Sequence, residues 1–238
     1  MSLLELEHVG KRYGRGSNER VALQDISLVL DAGEMLAVWG ERRSGRSTLL
    51  RVAAGIEAPN VGAVRFDGRD LAQRGSEVLG GDIGYCRQVF RPSGGQTVLD
   101  HLVAGQLARG ISRSKARSRS WRALERVDAV GCANHSPNEL NSEEAVRAAV
   151  ARALSAEPRL LVIDEPTIGV NLLARDKILL LLRSLADEGI AVLTSTGEGT
   201  GLLAADRVLS LSDGKVRGEL TPHLAPVTTL HPGRQASG

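Results

Sequence analysis

The sequence predicts an α/β fold in which a mixed sheet core with flanking helices is interrupted by a helical insertion. Three observations predict it. A short apolar run at 34–39 ends in a glycine-rich segment, residues 40–48 (GERRSGRST), which opens a helical pattern. From about 98 to 154 the pattern is helical, strongly basic over 112–127 and broken at Pro137. From 159 onward strand and helix alternate. A length of 238 residues suits one large domain carrying such an insertion.

Residues 3–9 alternate like a strand, 21–30 give a second, and 34–39 a third that ends at the glycine-rich loop. Residues 48–54 continue as helix, and 61–66 read as a strand before the AspGlyArgAsp turn at 67–70. After the helical stretch, 159–163 and 190–195 read as strands around a helix at 174–186, and AspGlyLys at 213–215 marks a last hairpin. Beyond Gly218 the composition turns to Pro, Thr, His and Gly without periodicity, the pattern of a loosely held tail. The expected division is therefore one domain over 1–218, with its core at about 1–88 and 156–218, an insertion at about 89–155, and a flexible tail at 219–238.

The loop carries the frame of a phosphate-binding turn, G-x-x-x-x-G-K-[ST]. Gly40, Gly45 and Ser47 fall in register, and Arg46 stands where the lysine belongs. In such a loop backbone N–H groups and the start of the helix at Thr48 point at phosphates, the basic residue reaches the β- and γ-phosphates, and the hydroxyl holds Mg²⁺. Arginine keeps the charge but not the compact shape of an ammonium. The frame predicts a nucleotide site whose hydrolytic chemistry is changed.

Composition excludes several classes. A net charge of +2 gives no reason to expect a nucleic-acid partner, and the basic run at 113–122 lacks aromatic interleaving beyond Trp121. Two cysteines, Cys86 and Cys132, make neither a disulfide framework nor a zinc pattern, so a reducing cytosol is the expected setting. No apolar run is long enough to cross a membrane.

With its second half read against its first, the chain resembles the ATP-binding subunit of an ABC transporter, closest to the lipoprotein-release, macrolide-export and cell-division permease type, over roughly residues 3–218. LeuLeuValIleAspGluProThr (160–167) carries the resemblance most clearly, because an apolar strand ends in two acids. The resemblance implies a P-loop NTPase of ABC type that binds ATP and Mg²⁺. In it Asp164 is the carboxylate on the Mg²⁺ side and Glu165 the general base for water if the chain is active. Tyr13 stacks on adenine, and Gln88 touches Mg²⁺ at the contact with the membrane subunit. The metal set it implies is Ser47, Gln88 and Asp164.

Three landmarks depart from the pattern. The signature that offers donors to a partner's γ-phosphate reads Leu140, Asn141, Ser142, Glu143, Glu144, in register with AlaArgAlaLeu at 151–154. Two carboxylates there suit a helix start, with Asn141 and Glu144 as a capping box, better than an approaching polyanion. Gly197 stands where a histidine should contact the γ-phosphate, and neighbouring Glu198 cannot donate that bond. Asn171 replaces an aspartate, a milder change. Arg43 occupies a position where the family favours glycine, and Arg43 or Arg46 is expected to pair with Asp164 or Glu165.

The resulting expectation is a nucleotide-binding subunit docked on a membrane permease at the cytoplasmic face, through the segment from Gln88 to about Gly110. Its hydrolysis is impaired and its role structural or regulatory. Such subunits work as head-to-tail dimers, and a second, intact ATP-binding subunit is expected in preference to a homodimer. The alternative is an active ATPase subunit that tolerates the substitutions.

Overall fold

The computed structural model describes residues 2–73, 81–86 and 96–222. Two sheets build it. Strands β1 (Ser2–Tyr13), β2 (Arg20–Asp31), β4 (Val61–Phe66) and β5 (Arg69–Asp70) form an antiparallel sheet in the order β2-β1-β4-β5. The second sheet has the order β10-β9-β3-β8-β7-β6, from β3 (Met35–Trp39), β6 (Ile83–Cys86), β7 (Leu160–Ile163), β8 (Ala191–Thr196), β9 (Arg207–Ser212) and β10 (Lys215–Leu220). Its strands run parallel except β10, which returns antiparallel along β9.

The central strands β3, β7 and β8 of the second sheet are buried on both faces, as their apolar runs require, while β10 at its edge is largely exposed. Met35 and Ala37 of β3, Leu161 and Ile163 of β7 and Val192 of β8 enter one core with the helices α2 (Val98–Leu107), α3 (Arg113–Arg126), α4 (Ser142–Leu154) and α5 (Leu172–Asp187). The alternate residues Leu36, Val38, Leu160, Val162 and Leu193 enter a second core with the antiparallel sheet and α1 (Arg46–Ala53). The period of two along each strand thus feeds two cores at once. Helices α2, α3 and α4 lie between β6 and β7, within the segment read as an insertion.

Two AspGly turns match their sequence signals. Asp67 and Gly68 (φ 52° and 71°) link β4 to β5, and Asp213 and Gly214 (φ 51° and 72°) link β9 to β10. Both pairs place positive φ at both central positions, as hairpin turns need. β10 continues to Leu220, past the expected domain end at Gly218, and most of the expected tail lies outside the described residues. Helix α1 begins at Arg46, two residues before the expected start, because Gly45 (φ 107°) caps it in the left-handed region. Asn141 and Glu144 form the expected capping box on α4, with reciprocal bonds of 3.0 and 2.9 Å.

Candidate functional site

The carboxyl ends of the adjacent strands β3, β8 and β7 meet at one edge of the sheet, where loops of an open α/β fold hold ligands. β3 runs into residues 40–45 and then α1. Gly40 is needed there, because a Cβ would lie 2.3 Å from Leu211 O and 2.7 Å from Ser44 Oγ. Gly45 is needed for its left-handed backbone and because a Cβ would lie 2.5 Å from Ala22 O. The turn between β9 and β10 braces the loop through Gly214 N donating to Ser44 O at 2.8 Å. Arg43 has φ 71°, an arginine in the conformation for which glycine is suited.

The loop frames a cavity of about 430 Å³. Arg20, Arg42, Arg43, Arg46 and Arg51 line it with the hydroxyls of Ser44, Ser47 and Thr48, and among the described residues Glu165 is the single carboxylate on its wall. Arg46 is buried, 6% exposed, and its Nη2 donates to Glu165 Oε1 at 2.5 Å. Its guanidinium rests on Gly197, where a Cβ would lie 3.2 Å from Nη1 and 3.3 Å from Nη2. The arginine and the glycine are therefore one packing solution: the absence of a side chain after β8 makes room for the longer cation from α1. On the far side of the pair lies a second cavity of about 440 Å³, reaching Thr167, Ile168 and Glu198.

The two acids at the end of β7 have different surroundings. Glu165, at φ 49°, takes the Arg46 ion pair, while its N–H donates to Ser195 Oγ at 3.0 Å. Asp164 accepts from the same Ser195 hydroxyl at 2.7 Å and lines a separate small cavity with Cys86, Val146 and Pro166. Glu198 is held by Arg175 at 2.5 Å. Burial pushes the Cys86 thiol up to about 12, so it stays protonated. Asn171 caps α5, its side chain accepting from Ala174 N at 2.9 Å.

Tyr13 stands at the outer wall, with Lys11 Nζ 5.4 Å from the ring centre. Its hydroxyl donates to Glu57, which also accepts from Arg51 Nε at 2.6 Å, and Arg51 Nη2 reaches Thr48 Oγ1 at 3.4 Å. Burial opposes the charged form of Glu57, but the Tyr13 hydroxyl and Arg51 outweigh it and hold this carboxyl below its ordinary value.

Of the residues singled out in the sequence, Tyr13, Gly45, Arg46, Ser47, Thr48 and Glu165 line one cavity, Gly40 shapes the loop, and Asp164 stands behind it. Gln88 lies outside the described residues. Sequence reasoning gave no role to Ser195, Glu57, Arg51, Arg20 or Arg42. Ser195 carried one signal, a hydroxyl at the end of an apolar strand. Arg42 and Arg51 sit in the loop and on α1, Arg20 comes from β2, and Glu57 stands behind Arg51; none of the four carried a signal of its own.

A family model described as ABC transporter matches residues 23–168. The chain belongs to the ABC transporter family. It is similar to the lipoprotein-releasing system ATP-binding protein LolD of Chromohalobacter salexigens, at 32% identity covering 90% of this chain and 92% of the relative. It is also similar to the macrolide export ATP-binding/permease protein MacB 1/2 of Paracoccus denitrificans, at 30% identity covering 90% of this chain and 33% of that larger protein. Among solved structures, a dimeric post-hydrolysis ATP-binding cassette bound to ADP and phosphate aligns with a TM-score of 0.84 at 27% identity, covering 92% of this chain and 99% of that one. The fold is the P-loop NTPase of ABC type expected from the sequence.

The site fits the phosphates of a nucleotide. The loop and the N-terminus of α1 face a cavity lined by arginines. It does not fit Mg²⁺ in the same way. Mg²⁺ asks for several oxygen ligands, usually with a carboxylate, and here the cavity's carboxylate is held by a guanidinium while Asp164 lines a different cavity.

Because Glu57 has a lower pKa folded than unfolded, its contribution to stability is fully present above the unfolded glutamate pKa and is lost as the pH falls through the lowered folded value. A Glu57→Gln variant is expected to show a shallower acid-side fall in thermal midpoint than the parent. Superimposable pH profiles for the two proteins would contradict this account of the Tyr13 cluster.

Proposed function

We propose that this chain is an ATP-binding subunit of an ABC transporter complex, docked on a membrane permease, with impaired hydrolysis and a structural or regulatory role. The observation that carries the reading is the Arg46–Glu165 ion pair packed on Gly197. A general base must offer an accepting oxygen to water, and here Glu165 Oε1 is engaged by a buried guanidinium. The same arginine occupies the space in which the resemblance places a phosphate-contacting histidine. Glu143 and Glu144 open α4 as helix-start acids, and Glu143 is also paired to Arg147 at 3.0 Å, so this segment serves its own helix.

The partner half of the reading is supported by surfaces. Ile168, Leu172 and Leu173 are exposed at 57, 66 and 78%, beside the second cavity and at the start of α5. A second subunit seated there would cover them, and an intact ATP-binding subunit is the partner proposed. Among the described residues no helix is long and apolar enough to cross a membrane, so membrane association is assigned to the permease. MacB, as its name records, joins ATP-binding and permease parts in one protein.

The isolated chain is expected to hydrolyse ATP at a rate that Glu165→Gln does not lower further, since a missing general base alone accounts for about 10²- to 10⁴-fold. Restoring lysine at Arg46 alone should leave the rate unchanged, because Gly197 and the acidic signature remain. A steady-state turnover of about 1 per second that disappears in Glu165→Gln would contradict the reading and favour the active subunit.

For docking, cross-linking in cells is expected to join the chain to an integral membrane protein. Arg109→Glu, at an exposed position just after α2, should weaken that product without lowering the thermal midpoint appreciably. A chain recovered only as a monomer, with no membrane protein attached, would contradict the permease reading.

A further inference from the structure

The geometry points to a nucleotide site that takes a nucleoside polyphosphate free of divalent metal, with arginines supplying the charge that Mg²⁺ supplies elsewhere. The inference rests on the nucleotide-binding reading above. Among the described residues five arginines line the cavity against one lining carboxylate, and Arg51 is also paired with Glu57 behind the wall. That carboxylate, Glu165, is already compensated by Arg46 at 2.5 Å. A divalent cation placed beside the loop would meet this field, and like charges repel most strongly where protein excludes water. A triphosphate without metal keeps its full negative charge and would meet complementary charge throughout.

A second observation is independent of the charge count. Two polar groups of cavity-lining residues, Arg46 Nη1 and Ser44 Oγ, are buried without a hydrogen-bond partner among the described residues. Arg46 and Ser44 are both 6% exposed. Buried donors left unmatched are costly, and a phosphate oxygen is an acceptor that would satisfy them. Arg46 Nη1 is the more telling of the two. Its sister nitrogen is engaged by Glu165, so the same guanidinium can hold the acid and an incoming phosphate together. Arg43, strained at φ 71°, sits in the loop itself and keeps a cation where the family favours a residue without a side chain.

Ser47 lines the cavity, whereas Asp164 accepts from Ser195 and lines a separate one, so among the described residues the carboxylate on the cavity wall is the one already held by Arg46. The phosphate chain is thus the recognised feature. Affinity should rise with the number of phosphates and fall with ionic strength, as direct charge pairing requires.

The test is calorimetric titration of the purified full chain with ATP, ADP and AMP, in excess EDTA and again in excess Mg²⁺. The expected result is a dissociation constant for ATP in EDTA equal to or tighter than that in Mg²⁺, within about threefold, and an order ATP, ADP, AMP of weakening affinity. Arg42→Ser should weaken ATP binding in EDTA by about tenfold. In the double variant Arg46→Lys with Gly197→His, which frees Glu165, binding should become tighter in Mg²⁺ than in EDTA. Binding by the parent chain that weakens by about tenfold or more in EDTA would overturn the metal-free mode while leaving the nucleotide-binding reading intact. Absence of ATP binding in both buffers would overturn both.

Discussion

A guanidinium buried between the ends of three parallel strands governs the rest of this site. Arg46 leaves the first turn of α1, lies on Gly197 after β8, and binds Glu165 after β7. Each contact constrains the next. A side chain at Gly197 would press on the guanidinium, and a shorter cation at Arg46 would leave Glu165 without this partner beside a half-closed cavity. An ion pair of this kind is weak evidence for stability as such, since desolvation offsets much of the attraction. Its weight lies in what it occupies: the guanidinium takes Glu165 Oε1 and lies against Gly197.

The retained acids then have a physical account. AspGlu at the end of β7 reads at first as preserved hydrolytic chemistry. In place, Glu165 neutralises a buried cation and Asp164 accepts from Ser195, whose hydroxyl also receives the Glu165 backbone N–H. These contacts tie β7 to β8 and fix the loop between them. Each acid thus has a contact of its own in this fold, Glu165 with Arg46 and Asp164 with Ser195, beside an arginine in the loop and a glycine at 197.

Much of the fold was legible in the sequence because its signals are local. The apolar runs at 34–39 and 159–163, the AspGly hairpins and the capping box at Asn141 and Glu144 each rest on neighbours within a few residues. The start of α1 was misplaced by two residues, since Gly45 caps it in the left-handed region, and the close approach of Ala22 O that leaves no room for a Cβ there is a long-range contact that no local pattern records. The site was legible in its parts and not in its assembly. Arg46 and Gly197 read as two separate losses, because only the pairing of β3 with β8 brings positions so far apart in sequence into contact. An arginine pairing with one of the two acids could be anticipated from charge. That Arg46 takes Glu165 while Arg43 stays on the cavity wall depends on where the loop turns.

The closed form of the site depends on a specific coupling between Arg46 and Glu165 in the nucleotide-free protein. A double-mutant cycle in reversible denaturant unfolding, using Arg46→Met, Glu165→Gln and the double variant, measures it directly. The predicted result is a favourable coupling of about 1.5–3 kcal/mol, the range for a hydrogen bond to a charged group. Additive single effects, with a coupling indistinguishable from zero, would mean that the two side chains do not hold one another and would contradict the central claim.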